Sequence, residues 1–277
     1  MSVLYIVPTP IGNLGDITVR SLETLKTVDF IAAEDTRVTQ KLLTHFAINK
    51  PLVSCYEHNE RMRSSAIIAR IVAGESCALV TDAGTPAVSD PGELLVAACY
   101  EAGVRVVPLP GACAAICALS ACGLPTGRFC FEGFLAVNKR DRRERLNSLK
   151  NEVRTMIFYE APHKLAGTLR DLYAAFGDRR ITLCRELTKI YEEFVRLSLA
   201  EAVERYCAPD AKIKGEFVLV LEGAHAEEAE ADVADLDLTQ DIRAVVRDAK
   251  KAGISRNEAY RAKLEAKKAA QRAEADL

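Results

Sequence analysis

Residues 80–92 read VTDAGTPAVSDPG. The apolar run CALV (77–80) leads into them, and GELLVAACYEAG (92–103) follows with the composition of a helix. Between the two lie Ala83, Gly84 and Pro86, the aspartates Asp82 and Asp90, and a Pro-Gly pair. Glycine allows positive φ and a close approach of backbone to a ligand. Proline stiffens a loop and removes a donor. A buried strand, a tight loop and a helix are the parts of a ligand site in an open α/β sheet.

The same alternation extends in both directions. VLYIVP (3–8), VDFIAAE (28–34), PLVSCY (51–56), CALVTD (77–82) and VRVVPLP (104–110) read as strands, with helices at 17–27, 34–46, 57–73 and 92–103, and GACAAICALSACG (111–123) closing the set. This spacing predicts a parallel sheet with right-handed crossovers, and a first domain over 1–120. In helix 17–27 the pattern puts Val19, Leu22 and Leu25 on one face, with Asp16 as N-cap. LPTGRF (124–129) reads as a hinge. Beyond it, 128–134, 155–161, 179–187, 192–198 and 215–223 read as strands, and 138–152, 162–176 and 199–207 as helices. Only four residues part the runs 179–187 and 192–198, which predicts a hairpin and a mixed sheet. The expected fold is α/β: two α/β domains, 1–120 and 124–223, with a cleft between them, plus a small C-terminal helical tail.

Of the 277 residues, 49% are hydrophobic and 27% charged, the balance of a globular, soluble protein. No apolar run approaches the roughly 20 residues that span a bilayer, so no membrane partner is expected. The N-terminus lacks a basic flank and a cleavage site, and reads as a strand rather than a signal peptide. Nine cysteines occur without C-x-x-C pairs, which points to reduced thiols and a cytoplasmic location. Four scattered histidines give no metal-ligand spacing. Net charge is −2, but its distribution is uneven. Segment 225–237 holds six acidic residues and no Lys or Arg, within an expected acidic linker at 224–238. From 239 to 277 ten Lys/Arg stand against six Asp/Glu. Two helices are predicted there, 239–252 stopped by Gly253 and 256–272 opened by a Ser255–Glu258 capping box. They read either as a helix-turn-helix-like RNA contact, with Lys250, Lys251 and Arg256, or as a solvated charged tail.

The loops PTPIGN (8–13), AEDTR (33–37), YEHNE (56–60), DAGTPAVSDPG (82–92) and PLPGACA (108–114) all follow strands, so a parallel sheet gathers them on one edge. None is a Walker loop, and no G-x-G-x-x-G follows the first strand. No G-x-S-x-G elbow occurs either. Nucleotide hydrolysis, dinucleotide binding and serine hydrolysis are disfavoured.

PTPIGNLGDIT (8–18), AEDTR, TDAGTPAVSDPG (81–92), the Pro-Gly turn at 110–111, YEAPHK (159–164), RELTK (185–189) and GEFVLVLEG (215–223) resemble the tetrapyrrole methylase superfamily, in particular its ribosomal RNA methyltransferase branch. That resemblance covers about residues 1–223 in order. It implies two α/β domains with S-adenosyl-L-methionine in the cleft between them, and a homodimer. It implies transfer of methyl to the 2′-hydroxyl of a cytidine in the decoding region of small-subunit (16S) rRNA, free or in the 30S subunit. Carried over, it places the cofactor against Pro8, Asp82, Gly84, Thr85, Pro86, Ala87, Gly111, Cys113 and Ala114, then Tyr159, Glu160 and Ala161, with Leu221 or Glu222. Where the family usually reads Pro-Gly-Pro-Ser-Ala, this chain has Pro-Gly-Ala-Cys-Ala at 110–114, so Cys113 replaces a hydroxyl with a weaker hydrogen-bonding group.

A ribose hydroxyl is a poor nucleophile, and a nearby base assists it. Glu34, Asp35 and His58 are the candidates, with Glu57 and Asp82 beside them; no spacing chooses among them. Arg37, Asn59 and Arg61 read as RNA or structural contacts. Asp35 alternatively caps a helix, His58 bonds to backbone, Tyr159 belongs to the core, Arg185 and Glu186 pair with neighbours, and Asp82 and Asp90 brace their loop. The cations of 139–145, with Arg140, Arg142 and Arg143 foremost, read as phosphate contacts or as a solvated face. Two other functions stay open: a methylase of a tetrapyrrole-like small molecule, and a binding module that keeps the cleft without catalysis.

Overall fold

A computed structural model describes residues 2–56, 60–224, 236–251, 254 and 256–275. Glu57, His58, Asn59, Gly253 and Ser255 lie outside these, as do the side chains of Arg61, Lys250, Lys251 and Arg256. The chain divides into two compact units. One comprises Met1–Ala121 with Arg185–Glu193, the other Cys122–Cys184 with Phe194–Leu277.

The first unit holds five strands, β1 (Val3–Ile6), β2 (Phe30–Ala33), β3 (Leu52–Ser54), β4 (Ser76–Val80) and β5 (Arg105–Pro108). They form one sheet in the order β3-β2-β4-β1-β5, parallel at every pairing. Helices α1 (Val19–Thr27), α2 (Thr36–His45), α3 (Glu60–Val72), α4 (Glu93–Glu101) and α5 (Ala114–Ala121) follow the strands in turn. Side chains on a strand alternate between faces, and the core obeys this. Leu4, Ile6, Phe30, Ala32, Cys77 and Leu79 pack with Ile67 and Ile71 of α3 and with Leu95 and Cys99 of α4. Val7, Ile31, Ala33, Ala78 and Val80 pack with Leu25 of α1 and Leu43 of α2. The neighbours β1 and β4 therefore send the chain to opposite faces. Such a divergence opens a crevice at the carboxyl ends of the two strands.

The start of α1 differs from the expected one. Its N-cap is Thr18, whose Oγ1 accepts the Ser21 N–H at 3.0 Å. Asp16 instead closes a 3₁₀ turn, Leu14–Asp16, capped by Asn13. That turn delays the helix, so its buried face is Ser21, Thr24 and Leu25, and Val19 is 72% exposed.

The second unit's sheet is mixed. Strands β6 (Phe129–Phe134), β7 (Thr155–Glu160), β8 (Arg180–Arg185), β9 (Glu193–Ser198) and β10 (Phe217–Leu221) take the order β6-β7-β10-β8-β9. β6 and β7 are parallel, β7 and β10 antiparallel. Helices α6 (Lys139–Ser148), α7 (Leu165–Phe176) and α8 (Leu199–Tyr206) supply Leu146, Leu169, Leu172 and Leu199 to its core, with Met156, Phe158 and Leu219 from the strands. Toward the C-terminus, α9 (Ile242–Lys251) and α10 (Arg256–Ala275) pack through Val245, Ala249, Ile254 and Ala259. Asp241 caps α9, its Oδ1 accepting the Arg243 N–H at 2.6 Å. The tail is thus a helix pair with a small core of its own. Among the described residues no helix is long and apolar enough to cross a membrane.

Candidate active site

Three loops are locked together at the carboxyl edge of the first sheet. Thr9 N–H donates to Gly84 O at 2.9 Å, and Gly84 N–H donates to Thr9 O at 3.0 Å. Thr9 Oγ1 donates to Thr81 O at 3.1 Å. Thr85 Oγ1 donates to Ala112 O at 2.9 Å. Gly111 lies so close to Pro8 that a Cβ on it would stand 2.5 Å from the proline Cβ. The loops after β1, β4 and β5 thereby form one rim, and Pro8, Gly84, Thr85 and Gly111 sit at its joints.

The loop after β4 holds unusual backbone. Gly84 has φ +89°, and Ala87 and Ser89, which carry side chains, have φ +65° and +61°. Each such non-glycine residue costs on the order of 1 kcal/mol or more, and strain of this kind gathers at functional sites. Pro86 is buried, while Ala87, Cys113 and Ala114 are half-buried.

The loop is also anchored from a distance. Glu60, at the start of α3, is 5% exposed, and its Oε1 accepts the N–H groups of Gly92 and Leu95, each at 3.0 Å. It thus caps α4, whose N-cap Gly92 has no side chain to do so. In sequence Glu60 stands in the YEHNE loop and in the opening of the helix that follows, with no sign of this distant partner. The missing cap after Pro91 was the available signal that an acceptor must come from elsewhere.

Carboxylates line the rim where β2 and β4 end. Glu34 Oε2 accepts the Thr81 hydroxyl and the Asp82 N–H, the latter at 3.3 Å. Asp82 Oδ1 accepts the Asp35 N–H at 3.1 Å. Burial raises the Asp90 pKa to about 6, helped by the charge of Glu34 and opposed by a hydrogen bond from Thr81. Asp82 is also raised, by burial first and by Glu34 second. Among the described residues no group of His, Cys, Asp or Glu is arranged to hold a metal ion.

Asp35 differs from its neighbours. Its Oδ1 accepts the Arg37 N–H at 2.8 Å as the N-cap of α2, and the Arg37 guanidinium closes on Oδ2 at 2.7 Å. Those bonds hold its pKa down to about 2. Its lone pairs and its acidity favour the capping role over that of a base. Arg37, though 87% exposed, spends its guanidinium on this pair.

In the second unit, Tyr159 packs edge-on against Phe131 and Phe134, with ring centroids 5.0 and 5.6 Å away. Glu160 is buried, accepting the Ala161 N–H at 2.8 Å and the Thr168 hydroxyl. Thr168 in turn accepts Arg142 Nη2 at 2.7 Å, and Arg142 Nε donates to Asp171 at 2.5 Å. Arg140 is paired with Glu144 at 3.0 Å, whereas Arg143 is exposed. Leu221 is buried, and Glu222 binds Arg180. In the segment Arg185–Glu193, which belongs to the first unit, Arg185 lies 3.7 Å from Glu193, and Lys189 pairs with Glu186 at 2.9 Å.

A model of the family described as Tetrapyrrole (Corrin/Porphyrin) Methylases matches residues 3–203, which takes in all five loops of the rim edge. The chain belongs to the tetrapyrrole methylase family. Among curated relatives of this methylase is a "Ribosomal RNA small subunit methyltransferase I" of Synechocystis, 49% identical over 94% of this chain and 91% of its own. Proteins of the same name in Escherichia coli O157:H7 and Bacillus subtilis are 51% and 48% identical. These cover 81% and 84% of the methylase, and 79% of each relative. Of solved structures, a uroporphyrin III C-methyltransferase from Thermus thermophilus aligns with TM-score 0.57 at 15% identity, over 79% of this chain and 97% of its own. A diphthine synthase aligns with TM-score 0.59 at 16% identity, over 79% and 90%. At that identity the two structures speak for the fold.

Proposed function

We propose that this methylase transfers methyl from S-adenosyl-L-methionine to the 2′-hydroxyl of a cytidine in the decoding region of small-subunit (16S) rRNA. The observation that carries this reading is the locked rim of three loops beside the Glu34–Asp82–Asp90 carboxylates, in a chain about half identical to proteins named for rRNA methylation.

The rim suits the cofactor's small polar groups. Gly84 and Gly111 remove side chains where the three loops meet, so the backbone of residues 84–87 and 111–114 can meet a ligand directly. With Cys113 in the turn, contacts there run through main-chain groups. S-adenosyl-L-methionine supplies an electrophilic methyl on a sulfonium. The protein's part is to hold the hydroxyl in line with it and to take the proton.

Asp82 is the proposed acceptor of that proton. Its Oδ1 is fixed by the Asp35 N–H, and the residue is exposed at the rim. Burial first, and then the like charge of Glu34, which Thr81 holds, raise its basicity. Glu34 then acts as a positioning residue, Asp35 as a cap, and His58 stays outside the described residues. Positioning of the hydroxyl supplies much of the rate enhancement. The basic helix pair α9–α10 supports an RNA partner, and the family resemblance supports a homodimer in the cytoplasm.

The test incubates the purified protein with labelled S-adenosyl-L-methionine and with small subunits or naked rRNA from cells lacking the modification. Label in a cytidine whose 3′ linkage has become resistant to base supports the reading. Label in a tetrapyrrole and in no RNA would replace it with small-molecule methylation.

A further inference from the structure

Helix α6 concentrates charge. Lys139, Arg140, Arg142, Arg143 and Arg145 stand against Asp141 and Glu144 within its first seven residues. The fold sorts these cations into spent and available. Arg140 is paired with Glu144 one turn on, at 3.0 Å. Arg145 is paired at 2.5 Å with Glu132, whose side chain is 4% exposed. Lys139 and Arg143 have no ion pair among the described residues.

Lys139, Arg142 and Arg143 are spaced i, i+3, i+4, so they share one face of α6. That face looks into a groove of about 540 Å³, walled opposite by Asp171, Ala174 and Ala175 of α7. The two alanines keep the groove wide. Three cations face one carboxylate, and that carboxylate is already held by Arg142. Arg142 itself is rigid: Asp171 fixes its Nε, and Thr168, bonded to buried Glu160, fixes its Nη2. The groove thus has an immobile guanidinium in its wall and two cations, with no fixed partner, at its mouth.

We infer that this α6–α7 groove binds the phosphate backbone of the RNA substrate. Lys139 and Arg143 contact phosphate oxygens, and Arg142 neutralises Asp171 in the wall, which leaves their charge unopposed. The ligand is a run of phosphodiesters rather than a base, because the groove offers cations and small apolar walls but no aromatic face for stacking. The inference rests on the RNA-methylation reading and adds to it where the backbone lies on the second unit.

The experiment uses the full chain and naked small-subunit rRNA, with binding measured over a range of salt. The double variant K139A/R143A is compared with R140A, which removes an equal kind of charge from the same helix but outside the groove. For the double variant the expected result is a rise in Kd of about tenfold, and a salt slope shallower by roughly 1.4, from two phosphate contacts. R140A should stay within about twofold of the native chain, and affinity for S-adenosyl-L-methionine should be unchanged in both. Binding and slope unchanged in the double variant would overturn the groove, as would an equal loss in R140A. The methylation reading is judged separately: if the native chain labels no rRNA, that reading fails while the salt titration still decides the groove.

Discussion

Thr9 and Gly84 exchange a reciprocal pair of backbone hydrogen bonds, 2.9 and 3.0 Å long. They tie the loop after β1 to the loop after β4, the two adjacent strands whose connections leave on opposite faces of the sheet. The crevice that such a divergence creates is therefore closed at its base and rigid at its rim. Rigidity there matters for methyl transfer, where in-line geometry counts for more than any single functional group.

Gly111→Ala should spoil this rim. The new Cβ would meet Pro8 Cβ at 2.5 Å and Cγ at 2.8 Å, and a proline ring cannot swing aside. Overpacking of this kind costs about 1–3 kcal/mol. The expected result is a loss of stability of that size in urea and at least a tenfold loss of cofactor affinity by calorimetry. Gly167→Ala in α7, where a Cβ meets nothing within 4 Å, is the control and should stabilise by roughly 0.4–1 kcal/mol. Native cofactor affinity in the Gly111 variant would contradict the assignment of the rim.

Asp82→Asn keeps the oxygen that accepts the Asp35 N–H but loses the basic charge. Single-turnover methyl transfer should slow by about 10²- to 10⁴-fold, the span of general-base contributions, with cofactor affinity within about twofold of native. Asp35→Ala, which removes the cap, should lower stability by about 0.5–2 kcal/mol and leave the transfer rate within a fewfold. A slower rate in the Asp35 variant than in the Asp82 variant would reverse the two roles.

The acidity of Asp90 makes a signed prediction. Its folded-state pKa, about 6, lies above its ordinary 3.8, so the folded chain binds more protons than the unfolded one in this window. The associated stability is fully present below about pH 4 and is lost as pH rises through 6. Asp90→Asn should therefore be more stable than native at pH 7.5, by on the order of 1–2 kcal/mol. The gap should narrow steadily in urea titrations down to pH 4.5. In the native chain the transfer rate should rise with pH as Asp82, raised above its ordinary value, loses its proton, and then level. A gap independent of pH would show that Asp90 does not titrate there.

Glu60 gives a stability prediction with a local readout. Glu60→Ala would leave the N–H groups of Gly92 and Leu95 without their acceptor inside the fold. The expected cost is about 2–4 kcal/mol, since buried unsatisfied donors carry their full desolvation penalty. Hydrogen exchange should quicken at those two amides. Glu60→Gln retains a carbonyl oxygen and should lose less than half as much. Equal losses in both variants would mean that the charge, not the acceptor, matters.

Much of this molecule is legible one short window at a time. The five strands of the first sheet stand out as apolar runs between turn residues, and their alternation with helices announces a parallel arrangement. Asp35 is readable as a cap because its acceptor role reaches only two residues, to the Arg37 N–H. The hairpin of the second sheet was readable as well, though its strands stop at Arg185 and resume at Glu193. Asp16 was misread because the 3₁₀ turn at Leu14–Asp16 consumes residues that a helical pattern would claim, which hands the cap to Thr18.

The sequence by itself determined which segments become strands, which loops leave their carboxyl ends, and which residue types those loops present to a ligand. These follow from local sterics, hydrophobic period and hydrogen bonding between near neighbours. Tertiary structure decided which of those loops touch. The order β3-β2-β4-β1-β5 places β4 between β2 and β1, so Asp82 meets Asp35 on one side while Gly84 meets Thr9 on the other. It also brings Glu60 under Gly92, and Gly111 against Pro8. Strand order depends on which faces bury best against which helices, a sum over the whole core. No window of the chain contains that sum, so the opening stretch at 80–92 showed its composition in sequence and its partners only in the fold.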